Sequence, residues 1–374
     1  MTNKIYKGLN GVCVDTTELS NVDGINGILT YLGYNVDELL DCNFEEIAYL
    51  FFYKHLPNSE NLNLFKREIK RNYCVPQDIL NYIKDTGKED HPMSLLRTSV
   101  SMLSSSYTSL HDNSTDNLMN NSIKLVAQVS TICAAICRTN GNKEIISPRE
   151  DLDFSDNFLY MMFGKQVDSS MVKTLDLSLI LHMDHSFNAS TFTARLVAST
   201  LSDIISSVSA AVGSLKGPLH GGANSAVMKM LLNIGNVDNI DEWVENALSN
   251  KYKIMGFGHR VYKVLDPRAK HLKKMSHQWG ELTGNTKWFE MSNKLEKLIY
   301  DKKKLNANVD FYSASTYYSM GIEPENFTLL FALSRVVGWL SHIHEQLDNN
   351  KIIRPKAQYI GEMNKKYTSI LKRG

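Results

Sequence analysis

Charge of one sign is missing from this sequence. Its 41 Lys and Arg offset 40 Asp and Glu for a formal net charge of +1, so no whole-molecule field selects nucleic acid or an anionic membrane, and any anion site has to be local. Long apolar runs are missing as well. The longest, in FTLLFALSRVVGWLSHIHEQ from Phe327 to Gln346, is broken by Arg335 well short of the ~18 residues a membrane span needs. Cysteine is scarce: there are five, an odd number that forms no paired framework, and a reducing compartment fits. Cys133 and Cys137 lie one helical turn apart in an apolar segment, where a metal or redox pair competes with plain core cysteines; no second ligand pair follows, which favours core. The opening MTNKIYKGLNGVCVDTTEL has neither an apolar h-region nor an Arg-rich amphipathic pattern, so no targeting segment is evident and a cytoplasmic location is expected. No repeat is present, and period-two alternation is confined to GVCVD with DGING downstream, enough for one small hairpin.

What the chain has is helical periodicity. With 374 residues and 43% hydrophobic content it can bury one large core or two unequal ones. In SIKLVAQVSTICAAICRT, Val126, Val129, Cys133, Ile136 and Cys137 recur at three- and four-residue spacings and form one apolar stripe. SPRED, Ser147 to Asp151, carries a cap serine, a proline and Glu150, and reads as a helix start. Asp266 and Pro267 in DPRAK give the same signal. The polar stretch from Ser104 to Ser122 reads as a surface loop. Leu196 to Gly217 reads as one helical segment crowded with small residues, placed either deep in the core or at a subunit contact. The expectation is an all-α fold with a minor N-terminal hairpin.

Arg335 poses the sharpest question. A buried guanidinium without an anion costs several kcal/mol, and no acidic residue lies within a helical turn of it. Other polar residues stand at helix boundaries. His220 in KGPLHGGAN precedes a helix expected near Asn224, and a helix N-terminus favours a neutral imidazole able to donate a hydrogen bond. His259 in MGFGHRVYK sits among Gly256, Gly258 and Lys263, without the strand or the third glycine of a dinucleotide fingerprint. Asp310 in NANVDFYSAS has Val309 and Phe311 beside it; desolvation makes a carboxylate a stronger base, and a plain helix cap is the other reading. His185 follows His182 and Asp184 in HMDHSFNAST, and the spacing lacks the pattern and third ligand of a metal site. Arg268 reads equally as a surface residue or an anion ligand, Arg354 beyond the polar turn QLDNNK reads as a surface residue, and His342 and His344 read as packing or surface residues with no evident partner. Together, arginine forks suit a substrate with two or three carboxylates, and histidines that donate hydrogen bonds beside a basic aspartate suit enolate chemistry at carbon.

In that order along the chain, GPLHGGAN, GFGHRVYK, DPRAK, NVDFYSAS, FALSRVVGWLSHI and RPKAQYIG resemble the citrate synthases, most closely the dimeric type of Gram-positive bacteria. The resemblance implies a two-domain helical fold: a large, dimer-forming domain over residues 1–220 and 316–374, and a small CoA-binding domain over 221–315 that closes on a cleft. It implies that His220 holds the acetyl-CoA enolate, Asp310 takes the methyl proton, and His259 polarises the oxaloacetate ketone. His185, Arg268, Arg335 and Arg354 would bind the oxaloacetate carboxylates, Arg354 from the neighbouring subunit of a homodimer. Coenzyme A, part of the substrate rather than a cofactor, would lie along Lys253, Ile254, Met255, Gly256 and Gly258, with Lys263 on phosphate. No metal is implied. The shorter N-terminal region, compared with the hexameric type, implies no NADH inhibition. Two rivals share these residues: a 2-methylcitrate synthase using propionyl-CoA, and a non-catalytic CoA-binding relative.

Overall fold

The computed structural model describes residues 5–9, 11–87 and 89–373. Its one sheet among them is antiparallel, with β1 (Ser20–Asp23), β2 (Ile28–Tyr31) and β3 (Tyr34–Asn35) in that order. Ser20 pairs with Tyr31, and Asp23 with Ile28. The turn falls on DGING as expected, where the Asp23 carboxylate accepts the N–H groups of Ile25 and Asn26 at 3.0 and 2.9 Å. The strand does not fall on GVCVD. Those residues are mostly exposed, whereas Leu29 and Tyr31 point into the core, so burial selects the later segment.

Seven helices follow: α1 (Phe44–Tyr53), α2 (Ser59–Arg71), α3 (Gln77–Thr86), α4 (Pro92–Met102), α5 (Thr115–Asn140), α6 (Phe154–Phe163) and α7 (Ser169–His182). Then come α8 (Ala189–Ala198), α9 (Ile204–Leu215), α10 (Ala223–Ile234) and α11 (Ile240–Ser249). The last are α12 (Pro267–Leu282), α13 (Lys287–Lys303), α14 (Val309–Ser319) and α15 (Phe327–Asp348). The fold is all-α in two helical bodies. Helices α10 to α14 pack chiefly on one another, while α1 to α9 gather around α5 and α15. A helix that is apolar on all sides has to be central, and α15 is buried without interruption from Phe327 to Ile343. Cys133 and Cys137 are core residues of α5. Among the described residues no helix is long and apolar enough to cross a membrane.

Three expected boundaries move, each because side chains bond the backbone. Helix α5 begins at Thr115, inside the expected loop; Leu118 and Ser122 are buried, and the Asn117 amide closes the preceding turn on the carbonyls of Ser109 and Asp112. SPRED starts no helix. The Asn157 side chain accepts the Arg149 N–H at 3.0 Å and donates to the Arg149 carbonyl at 2.7 Å, which holds the segment in a turn until α6 starts at Phe154. The small-residue segment is two helices rather than one: Leu201 adopts φ 63°, and Asp203 caps α9 by accepting the Ser206 N–H at 2.9 Å.

The starts of α1 and α6 are locked by buried carboxylates. Glu45, 2% exposed, accepts the Phe154 N–H at 2.8 Å. Asp176 of α7 accepts the Phe44 N–H at 3.1 Å, and the Phe44 and Phe154 rings stack at 4.0 Å. Burial, then the charge of Asp176, pushes Glu45 up to about 7. A carboxyl raised above its unfolded value contributes stability at low pH that is lost as pH rises through the folded value. Glu45→Gln keeps the acceptor and drops the charge. It should gain on the order of 2–3 kcal/mol at pH 8 and little near pH 5, in thermal melts at the two pH values; equal melting points at pH 8 would contradict the cost assigned to the ionised form.

Candidate active site

The two histidines at the Gly-rich breaks are held in defined tautomers by backbone donors. His220 lies in the turn before α10, and its Nε2 accepts the Ser190 N–H at 3.2 Å, next to the Ser190 hydroxyl at 2.8 Å. Ser190 is in the first turn of α8, whose cap Asn188 accepts the Thr191 N–H at 3.1 Å. With Nε2 occupied as an acceptor, the ring proton sits on Nδ1. Burial, then the charge of Arg335, pushes His220 down to about 4, so the ring is neutral at physiological pH. His259 follows the same logic with its nitrogens exchanged. Its Nδ1 accepts the N–H groups of Val261 and Tyr262, each at 3.0 Å, which leaves Nε2–H as donor; burial and Arg268 lower it to about 4.

His185 stands beside His259, with ring centroids 5.2 Å apart, and its Nε2 lies 3.3 Å from the Tyr262 hydroxyl. Burial and then Arg268 hold it well below the ordinary range. Asp310 occupies the first turn of α14, whose cap is Asn308; its own N–H donates to Asn308 Oδ1 at 3.0 Å. The cap reading therefore belongs to Asn308. Asp310 Oδ1 is shut from solvent with no hydrogen-bond partner, and burial pushes the carboxyl up to about 7 against the pull of Arg268 and Arg335.

The arginines differ in kind. Arg268 is buried and forked onto Asp266, with Nε to Oδ1 at 2.9 Å and Nη2 to Oδ2 at 2.8 Å. Its surface reading is excluded. Arg335, 1% exposed, has no carboxylate within ion-pair distance among the described residues; its Nε donates to the His182 carbonyl at 2.7 Å and its Cζ lies 4.7 Å over the Phe331 ring. Burial lowers it to about 10. The Phe331 ring also meets His182 at 5.0 Å and His220 at 6.3 Å, which ties the guanidinium to the histidines. Arg354 is exposed in the irregular C-terminal segment, and no contact within this chain brings it to the cluster among the described residues.

Residues 256 to 258 run alongside 306 to 308. Gly258 N–H donates to the Asn306 carbonyl at 2.8 Å, Asn308 N–H to Gly256 at 2.9 Å, and Asn308 Nδ2 to Gly258 at 3.0 Å. Gly256 needs to be glycine: it has φ 83°, and a Cβ would lie 2.7 Å from Val227 and 2.8 Å from Phe311. Lys253 and Lys263 are exposed on either side, Ile254 and Met255 partly buried, and the Lys263 N–H donates to Gly24 of the β1–β2 turn at 2.8 Å.

A family model described as "Citrate synthase, C-terminal domain" matches residues 8–356. The chain belongs to the citrate synthase family. It is 46% identical to citrate synthase 2 of Bacillus subtilis over 98% of this chain and 99% of that protein. It is 37% identical to 2-methylcitrate synthase 1 of Corynebacterium glutamicum over 99% of each. The ternary complex of carboxymethyl coenzyme A and oxaloacetate with citrate synthase from Thermoplasma acidophilum superposes with a TM-score of 0.94 at 32% identity, over the whole of both chains. This chain is therefore a condensing enzyme of the citrate synthase type.

Several residues around this cluster were not visible beforehand. Ser190 and Tyr262, which hold His220 and His185, lie inside the quoted motifs but carry no pattern of their own. His342 and His344 do have partners. His342 Nε2 donates to Asp184 at 3.2 Å while its Nδ1 faces Arg195, and His344 Nε2 meets the Ser122 hydroxyl at 2.8 Å. All four are partners from distant parts of the chain, which no local spacing encodes.

Loss of Arg335 removes one charge-assisted hydrogen bond, worth about 1.5–3 kcal/mol, and relieves a desolvated cation that costs several. Arg335→Leu should therefore fold with a melting temperature no lower than the native protein's by calorimetry. A clear drop would make the guanidinium a structural group instead.

Proposed function

We propose that the chain condenses acetyl-CoA with oxaloacetate and water to give citrate and CoA. Asp310 takes a proton from the acetyl methyl while His220 Nδ1–H donates to the thioester oxygen, so the enolate forms against a hydrogen bond rather than in water. The enolate carbon attacks the oxaloacetate ketone, whose oxygen accepts from His259 Nε2–H and becomes the alkoxide held there. Arg268, Arg335 and His185 bind the oxaloacetate carboxylates, with Arg354 supplied by the other subunit of a homodimer. Water then cleaves the citryl thioester, breaking the C–S bond and releasing CoA as a thiol. No metal or further cofactor enters these steps. The CoA chain follows Lys253 to Gly258 with Lys263 on phosphate, residues 221–315 act as the small domain that closes over residues 1–220 and 316–374, and the enzyme works in the cytoplasm.

One observation carries the reading: two neutral histidines, each with one ring nitrogen occupied by backbone N–H donors, keep their other N–H groups as donors, and the arginines that act on them, Arg335 and Arg268, both act on a carboxyl raised to about 7. That set fits deprotonation at carbon followed by addition to a ketone. Likeness to named citrate synthases favours acetyl over propionyl, although one methylene separates the acyl groups by only ~1–3 kcal/mol.

Oxaloacetate-dependent release of free CoA thiol from acetyl-CoA is the direct test. No release would favour a non-catalytic CoA-binding protein, and a higher kcat/KM for propionyl-CoA would make the chain a 2-methylcitrate synthase. Asp310→Asn should lose at least about a hundredfold in kcat while still binding oxaloacetate; near-native turnover removes Asp310 as the base. For the native enzyme, kcat/KM should fall as pH drops through about 7, because the base has to be ionised. Arg335→Leu should bind oxaloacetate poorly, and native affinity in that variant would refute its role as a carboxylate ligand.

A further inference from the structure

One buried charge touches both Arg268 and the start of α14. Asp266 is 1% exposed, and its carboxylate accepts four hydrogen bonds. Oδ1 receives the Arg268 N–H at 3.1 Å and Arg268 Nε at 2.9 Å. Oδ2 receives Arg268 Nη2 at 2.8 Å and the Val309 N–H at 3.2 Å. Capping α12 requires only the first of these. The other three exceed what a helix start needs, and they reach two different parts of the site.

We propose that Asp266 is a positioning residue for the condensation: one carboxylate sets both the guanidinium of Arg268 and the first turn of α14 that carries Asp310. This rests on the function proposed above. The two-point fork fixes the orientation of the planar Arg268 guanidinium against the carboxylate and leaves Nη1 as the corner free of Asp266. On the other side, every backbone N–H from 308 to 310 is held: Asn308 by Gly256, Val309 by Asp266, Asp310 by the Asn308 side chain. Asp266 is the member of that set that also holds a proposed oxaloacetate ligand, Arg268. Distance between the carboxylate-binding guanidinium and the base is thereby set through a single group, with no mobile side chain between them.

The charge acts in the same direction as the geometry. Asp310 is faced by Arg268 and Asp266 from the start of α12 and by Arg335 from α15, with Tyr317 further along its own helix. The two arginines favour the ionised carboxylate, and Asp266 opposes them, which keeps Asp310 a stronger base.

Asp266→Asn retains shape and a cap oxygen but loses the charge and one acceptor. In the CoA thiol-release assay its kcat should fall about 10- to 100-fold, as for a small misplacement of reacting groups. The acid limb of its kcat/KM profile should move to lower pH, because Asp310 loses its negative neighbour. A role confined to capping α12 would leave both kcat and the limb native, which overturns the proposal. Asp266→Ser, which also caps but carries no charge, should show the same two changes, so the proposal can be tested even if the Asn variant does not fold. Absence of CoA release by the native enzyme would remove the underlying function, and the inference with it; native release together with unchanged variants would remove the inference alone.

Discussion

Arg335 donates through Nε to the carbonyl of His182, and the chain can bring that carbonyl close because residue 338 of the same helix is glycine. A Cβ at Gly338 would sit 2.4 Å from the Met183 carbonyl and 2.9 Å from Asp184 Oδ1. The end of α7 therefore lies directly on α15. From that contact much of the site follows. Asp184, pressed against α15, bonds His342 of that helix and accepts the N–H of Ser186, which holds φ 49° immediately after His185. Burial alone would raise the Asp184 carboxyl; His342 and Arg335 outweigh it and keep it low, so the group that shapes the His185 turn stays charged. A single missing methyl thus fixes where one histidine and one arginine meet.

Backbone N–H groups make the remaining choice. His220 and His259 share a residue type and a Gly-rich setting, yet they present opposite nitrogens, because a helix start occupies Nε2 of one and a tight loop occupies Nδ1 of the other. Neither ring needs a carboxylate to orient it. An acidic partner would stabilise the imidazolium and turn a hydrogen-bond donor of modest acidity into a cation, whereas peptide donors favour the neutral ring.

The sequence made the chemistry legible further than the geometry. Helical class, the DPRAK start, the core cysteines and the DGING turn all rest on local signals, and local signals survive folding. SPRED failed because Asn157 bonded its backbone from outside the motif, and GVCVD failed because alternation says nothing about which face finds a core. The lack of an acidic neighbour in the chain around Arg335 did anticipate an unpaired guanidinium. For Arg268 the signal was ambiguous: the Asp266 partner is two residues away, so the same dipeptide spacing reads as a surface cap or as a buried fork.

On the proposed reading, the two arginines on opposite bodies of the fold divide the work that a dicarboxylate asks of them. Arg268 has already met its counter-ion, so a substrate carboxylate gains little net charge from it but finds a corner whose direction is fixed. Arg335 has surrendered its hydration without an ion pair in return, so an arriving carboxylate restores what folding took away. Attraction comes from the unpaired cation and orientation from the paired one. Exchanging these states would weaken both: an unpaired guanidinium at the head of α12 could turn, and a paired one in α15 would add a competing anion at the centre of the molecule.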